Sequence, residues 1–195
     1  MSKTSTFQTP FRRRNEGRTN YVKRLAFLKS GSVRAVVRKS TNHMQVQFVQ
    51  TVKGVDQVLA SAHTKELENY SYKGHGGNVP AAYLVGYLAG KRFLSTKGTS
   101  AIADIGVQRP NLGTRVFATV KGVADAGVEI KADAEAFPKK GRVEGKHIET
   151  FAQHEASKKH TVQFSTYAKR SVDASTFSKM VEQAKQQIND KSVNA

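Results

Sequence analysis

Phe11-Arg12-Arg13-Arg14 opens a series of cations that continues through Arg18, Lys23, Arg24, Lys29, Arg34, Arg38 and Lys39. The first forty residues hold eleven Lys or Arg against a single carboxylate, Glu16, a local balance of +10 in a chain total of +17. Such a cluster repels itself in water. It is stabilised when regularly spaced phosphates neutralise it and counterions are released. Phe7, Phe11 and Tyr21 are interleaved with the cations, and aromatic rings stack on exposed bases. Arginine dominates the run, and its planar fork suits phosphate and base edges better than the point charge of lysine. The chemistry indicated is nucleic-acid contact through Arg12, Arg13, Arg14, Arg18, Tyr21, Arg24, Lys29, Arg34, Arg38 and Lys39. A solvated surface or a localisation signal is the plainer alternative.

Two loops add to this reading. Lys73-Gly74-His75-Gly76-Gly77-Asn78 places three glycines in four residues just before an expected helix. Small residues let backbone approach a ligand, and the helix start offers free N–H groups to an anion. No Gly-Lys-Ser/Thr closes the loop, so it is not a nucleoside-triphosphate loop of the Walker type. Lys73, His75, Gly76, Gly77 and Asn78 are read as phosphate-backbone contacts, with a flexible connector as the plain alternative. Arg109 and Arg115 flank a second Gly/Pro loop that also leads to a helix. They are read as RNA or partner contacts, against an ordinary loop with exposed charges.

Catalysis has little support. Asp104, Asp125 and Asp133 show no spacing that would gather metal ions for a nuclease, and structural roles are expected for them. The six histidines show no i, i+4 pairing; His154 and His160 are read as surface residues. With no cysteine there is no thiolate nucleophile, no disulfide framework and no cysteine-based zinc site. No cofactor, catalytic residue or metal site is expected.

These residues must be held by a fold. From Thr19 the spacing of Tyr21, Leu25 and Leu28 predicts a short basic helix over 20–29, stopped by Gly31. Strands are expected at Val33 to Arg38, His43 to Thr51 and Gln57 to Ala62. In the second, Met44, Val46 and Phe48 alternate with Gln45 and Gln47, the period of a half-buried strand. Thr64 is expected to cap a short helix, and Asn78 with Pro80 to start a long one through about Thr96. A fourth strand is read over Ala101 to Ile105. Thr114 is read as the cap of a helix carrying Val116, Phe117, Val120, Val123 and Ala124 on one stripe and ended by Gly127. Residues 143–157 are read as helical, and a terminal amphipathic helix over 174–189 follows an irregular linker. Gly86 and Gly90 are expected to let the long helix pack closely on the sheet. The fold class is mixed α/β: a single sheet that begins with an antiparallel meander, helices largely on one face, and an extended basic N-terminal arm. The division expected is an arm over 1–19, a binding domain over 20–137, and a C-terminal extension over 138–195 with the basic loop Lys139-Lys140-Gly141-Arg142.

Composition sets outer limits. Hydrophobic residues make up 38% of the 195, a little below the globular average of about 45–50%, as a core with polar extensions would give. The most apolar stretch, Val79 to Gly90, is shorter than the roughly 20 residues a membrane span needs, and no signal peptide is read at the N-terminus. No membrane and no small-molecule substrate are expected.

In their order, several segments resemble the large-subunit ribosomal protein family that binds 5S rRNA, the eighteenth in universal large-subunit naming, in its archaeal branch. They are FRRRNEGRTNY at 11–21, RLAFLKSG at 24–31, VVRKS at 36–40, SAHTKEL at 61–67 and YKGHGGNVPAAYL at 72–84. DIG at 104–106, RVFA at 115–118, KGVADAG at 121–127 and GKHI at 145–148 complete the set. The resemblance covers roughly residues 10–150, and the chain length is similar to the archaeal type. It implies a mixed αβ sandwich in the central protuberance of the large subunit. It implies contact with 5S rRNA and 23S rRNA, beside a second 5S-binding ribosomal protein and other large-subunit proteins, and a cytoplasmic location. Arg12, Arg13, Arg14, Arg18 and Tyr21 match the family's basic arm, and Lys73 to Asn78 its glycine loop. The rival functions are a general RNA chaperone and a metal-dependent RNA-processing enzyme.

Overall fold

A computed structural model describes residues 8–156, 164, 167, 170 and 172–193; Phe7, with the start of the expected arm, and His160 lie outside the described residues. The arm is not extended throughout. Arg12–Asn15 forms one helical turn, α1, and Tyr21–Ser30 forms α2. The Asn20 side chain accepts a hydrogen bond from Lys23 N and caps α2, while Gly31 closes it in the left-handed region at φ 63. A residue with a Cβ avoids that conformation, which explains why glycine ends this helix.

Strands β1 (Arg34–Lys39), β2 (Met44–Val52) and β3 (Val55–His63) form the expected antiparallel meander. Strand β4 (Ser100–Asp104) pairs parallel to β1, and the two-residue β5 (Glu129–Ile130) pairs parallel to β4, so the sheet order is β3-β2-β1-β4-β5. The alternation in β2 holds: Met44, Val46 and Phe48 are fully buried, and Gln45 points to solvent. A register irregularity falls between Phe48 and Val49, and Val49 is buried as well.

One face of the sheet is covered by helices. Helix α3 (Val79–Ser95) lies over β2 and β3, and α4 (Arg115–Asp125) over β1 and β5. Asn78 caps α3 by accepting from Ala81 N at 2.8 Å, and Pro80 occupies its first turn. The helix is apolar on nearly every side because it is enclosed on nearly every side. Phe93 on α3 stacks on Phe48 with ring centroids 4.1 Å apart.

Gly86 and Gly90 do permit close packing, but against α4 rather than the sheet. A Cβ on Gly86 would overlap the Thr119 carbonyl, and one on Gly90 would meet Ala126 Cβ at 2.6 Å. Gly122 of α4 answers from the other side, facing the Tyr83 carbonyl. The α4 stripe is correspondingly different from that expected. Val116, Val120 and Val123 are buried with Ala118, Thr119 and Gly122, while Phe117 and Ala124 are half-buried.

Other expectations need adjustment. Thr64 does not cap the short helix; Thr64–Tyr70 is a 3-10 helix capped by His63, which accepts from Lys65 N while Glu66 accepts from His63 N. Thr64 is buried, and its hydroxyl accepts from Met44 N. Thr114 stands at the cap position of α4, but its hydroxyl donates to the Asn111 carbonyl instead. The helix expected over 143–157 is two helices, α5 (Lys140–Glu144) and α6 (Lys146–Ala156), divided by Gly145 at φ 86. The terminal helix α7 spans Phe177–Val193 after a 3-10 turn at Ala174–Thr176. Its buried stripe of Phe177, Val181, Ala184 and Ile188 joins the common core against α3. Tyr87 on α3 donates to Asn189 of α7 at 2.6 Å.

Candidate nucleic-acid interface

Arg13, Arg18, Lys23, Arg24, Arg34 and Arg38 gather around one cavity beside α2 and β1. In the leading segment Glu16 forms ion pairs on both sides, with Arg12 at 3.6 Å and Arg18 at 3.3 Å. Arg13 Nε donates to the Thr19 hydroxyl at 2.8 Å. The Phe11 and Tyr21 rings lie against each other, centroids 5.1 Å apart. Helix α2 buries no residue at all: Val22 is 81% exposed, Leu25 53% and Leu28 38%. The spacing that predicts the helix is real, but its apolar stripe meets no core.

Beneath α2 lies an ion lattice. Arg34 on β1 is only 6% exposed. Its guanidinium donates to Asp56 at 2.9 Å and approaches Asp104 at 3.6 Å. Arg38, on the same strand, stands 3.7 Å from Asp104 and donates to the Asp104 carbonyl. Arg24 reaches down from α2 to Asp56 at 3.6 Å. The Thr51 hydroxyl donates to Asp56 at 2.6 Å. That bond, followed by Arg34 and Arg24, holds the Asp56 carboxyl below its usual value against the opposing effect of burial. Asp104 also accepts from Gly106 N at 2.8 Å. Arg34 is therefore turned inward as a strut of the sheet, paired with Asp56 and Asp104. A cavity of about 130 Å³ remains between α2 and this lattice, and Arg13, Arg18, Lys23 and Arg38 are among its walls.

The glycine loop has a structural reason for its composition. A Cβ on Gly77 would meet the Thr41 carbonyl at 2.6 Å, and one on Gly76 the Asn42 carbonyl at 2.9 Å. The backbone that approaches these glycines is the turn between β1 and β2. Arg115 fastens the same junction, donating to the Gly77 carbonyl at 2.7 Å and, at 3.4 Å, to those of Ser40 and Thr41. Tyr72, fully buried beneath the loop, donates to Asn78 Oδ1 at 2.8 Å, and burial raises its phenol well above the usual value. Lys73 and His75 are both exposed on the outer side of this packed loop.

The remaining candidates divide cleanly. Among the described residues Arg14, Lys29, Lys39, Lys73 and Arg109 are exposed with no side-chain partner. The three carboxylates considered for catalysis lie apart: Asp104 in the ion lattice, Asp125 accepting from Tyr83 at 2.8 Å, and Asp133 capping the 3-10 turn Ala134–Ala136. Among the described residues no group of three acidic or histidine side chains is placed to hold a metal, and no helix is long and apolar enough to cross a membrane. Sequence reasoning singles out the basic loop at 139–142 and assigns it no role, yet Lys139 and Arg142 stand with Lys39 along one groove. Only the run of basic residues hints at this, because its neighbours in space come from elsewhere in the chain.

A mixed αβ platform that leaves a face of arginines open, with Glu16, Asp56 and Asp104 already paired to arginines, is the framework of a structural protein that holds a polyanion. Residues 5–103 match the family described as ribosomal large subunit proteins 60S L5 and 50S L18. Large ribosomal subunit protein uL18 of Korarchaeum cryptofilum (strain OPF8) is 40% identical over 190 residues, 97% of each chain. The chain belongs to this family. It is a structural component of the large subunit in the cytoplasmic ribosome, not an enzyme, and its partners are ribosomal RNA and ribosomal proteins.

Proposed function

We propose that this chain binds 5S rRNA and helps attach it to 23S rRNA in the central protuberance, beside a second 5S-binding ribosomal protein. The observation that carries the reading is α2. A ten-residue helix is marginal in water on its own, and this one buries nothing while exposing Val22, Leu25 and Leu28 among cations. RNA supplies what it lacks: phosphates for Arg12, Arg14, Arg18, Lys23 and Lys29, and base faces for Phe11 and Tyr21. Residues 1–19 act as the arm, 20–137 as the platform, and 138–195 as an extension whose last helix braces α3. Lys39, Lys73, His75 and Arg109 extend the contact. Arg34, Gly76, Gly77 and Arg115 serve it indirectly by fixing the platform. Release of counterions offsets the entropy lost as the arm orders.

The test is binding of the full chain to 5S rRNA and to unrelated transcripts over a range of salt. The wild-type chain is expected to prefer 5S rRNA. Replacing Arg12, Arg13 and Arg14 together by Ala is expected to lower the slope of log affinity against log salt by about 0.7–0.9 for each phosphate left without its arginine. The thermal transition should stay within about 0.5 kcal/mol, since these side chains are on the surface. An unaltered slope removes the arm from the interface.

A further inference from the structure

We propose that the groove between the first turns of α3 and α4 and the α5 segment is a second RNA site, which takes a strand of ribosomal RNA by its phosphates independently of the arm. The inference rests on the reading of the chain as a ribosomal-RNA binder. The groove has a volume of about 1270 Å³ and is lined by the cations Lys39, Arg115, Lys139, Arg142 and Lys146 against a single carboxylate, Glu135. Two of the five are already committed: Arg115 to three backbone carbonyls, and Lys146 to Glu144 at 3.1 Å. The side chains of Lys39, Lys139 and Arg142 have no partner among the described residues. They come from the end of β1 and the start of α5, so they mark a path rather than a point.

The floor of the groove is also short of acceptors. Thr114 turns its hydroxyl back to Asn111 and leaves the first N–H groups of the eleven-residue α4 without a side-chain cap. Asn78 lines the groove, and its Nδ2 amide is buried without a hydrogen-bond partner among the described residues. Unpaired donors and a helix start both favour an anion. The volume exceeds the roughly 300–1,000 Å³ of a typical small-molecule site. Beside the cations, Leu112 is 67% exposed and Phe137 half-buried, apolar rests of the kind a base requires. Repeated charge with interspersed apolar surface suits a nucleic-acid strand better than an acidic peptide.

The test uses the full chain carrying Lys139→Ala and Arg142→Ala, with 5S rRNA and 23S rRNA titrated separately against salt. With one of the two RNAs the salt slope is expected to fall by about 1.4, two phosphates at roughly 0.7 each on a single strand, while the thermal midpoint stays put. The RNA that responds is the source of the strand. Wild-type slopes with both RNAs overturn the proposal and leave the arm's role intact. Absence of a wild-type preference for 5S rRNA, by contrast, strikes the proposed function itself. A photo-crosslinker at position 142 in purified large subunits gives a second readout. An RNA adduct supports the groove, and adducts to protein alone overturn it.

Discussion

The two faces of the sheet solve opposite problems. On the inner face, α3 and α4 approach so closely that Gly86, Gly90 and Gly122 are needed to let backbone meet backbone, and the core they enclose is apolar. On the outer face, β1 places Arg34 and Arg38 beside Asp56 and Asp104, and a half-attached basic helix lies above them. The inner face is complete without a partner. The outer face neutralises its innermost cations internally and leaves the outer ones unmatched. The contrast separates two kinds of arginine that are chemically identical: those that build the platform and those that remain for phosphate.

That contrast can be broken at several points. The largest effect is expected from Gly86→Val, whose side chain would overlap the Thr119 carbonyl. Overpacking two backbones should cost about 3 kcal/mol or more, measured as disappearance of the cooperative thermal transition. Near-wild-type stability would mean that α3 and α4 can move apart. Next comes Arg34→Ala. It leaves Asp104, itself 6% exposed, with Arg38 and the Gly106 N–H, and Asp56 with Arg24 and Thr51. Breaking a buried pair costs about 3–5 kcal/mol, and the partial exposure of Asp56 and the surviving partners place this one near or below the lower end. The salt slope of RNA binding should not change. A lower slope with intact stability would put Arg34 in the interface after all.

The smallest effect concerns pH. The His63 imidazole is held below its usual value of 6.5, first by burial and then by the charge of His43. A lowered histidine pKa means that the unfolded chain binds the proton more readily. The contribution to stability is therefore full above about pH 6.5 and is lost as the pH falls through the folded value. His63→Asn keeps an acceptor at the cap of the 3-10 helix and should flatten this part of the melting profile as the pH falls from slightly alkaline to mildly acidic. An unchanged profile would assign the effect to other groups, with His75, lowered by burial and by His43 in the same way, the first to examine.

Much of the fold is legible in the sequence because its signals are local. The alternation in β2, the Asn78–Pro80 helix start and the Gly31 stop each depend on a few neighbouring residues, and each appears as expected. The misreadings share a different cause. Gly86 and Gly90 face α4 instead of the sheet, because spacing reveals that a side is small but not which neighbour it meets. The glycines of the 73–78 loop read as room for a ligand, and the neighbour is the Thr41–Asn42 turn, remote in sequence. Thr64 and Thr114 have the right chemistry for caps, yet each hydroxyl finds another partner.

By itself the sequence determined the amount and sign of the charge, the succession of strands and helices, and the family to which the chain belongs. These depend on composition, on short-range periodicity and on the order of residues. Only the tertiary structure decided which cations are free. A guanidinium is neutralised by whatever carboxylate lies within about 4 Å, and Arg34 met Asp56 and Asp104 while Arg14 met nothing among the described residues. Coulomb attraction depends on distance in space, and distance along the chain carries almost no information about it.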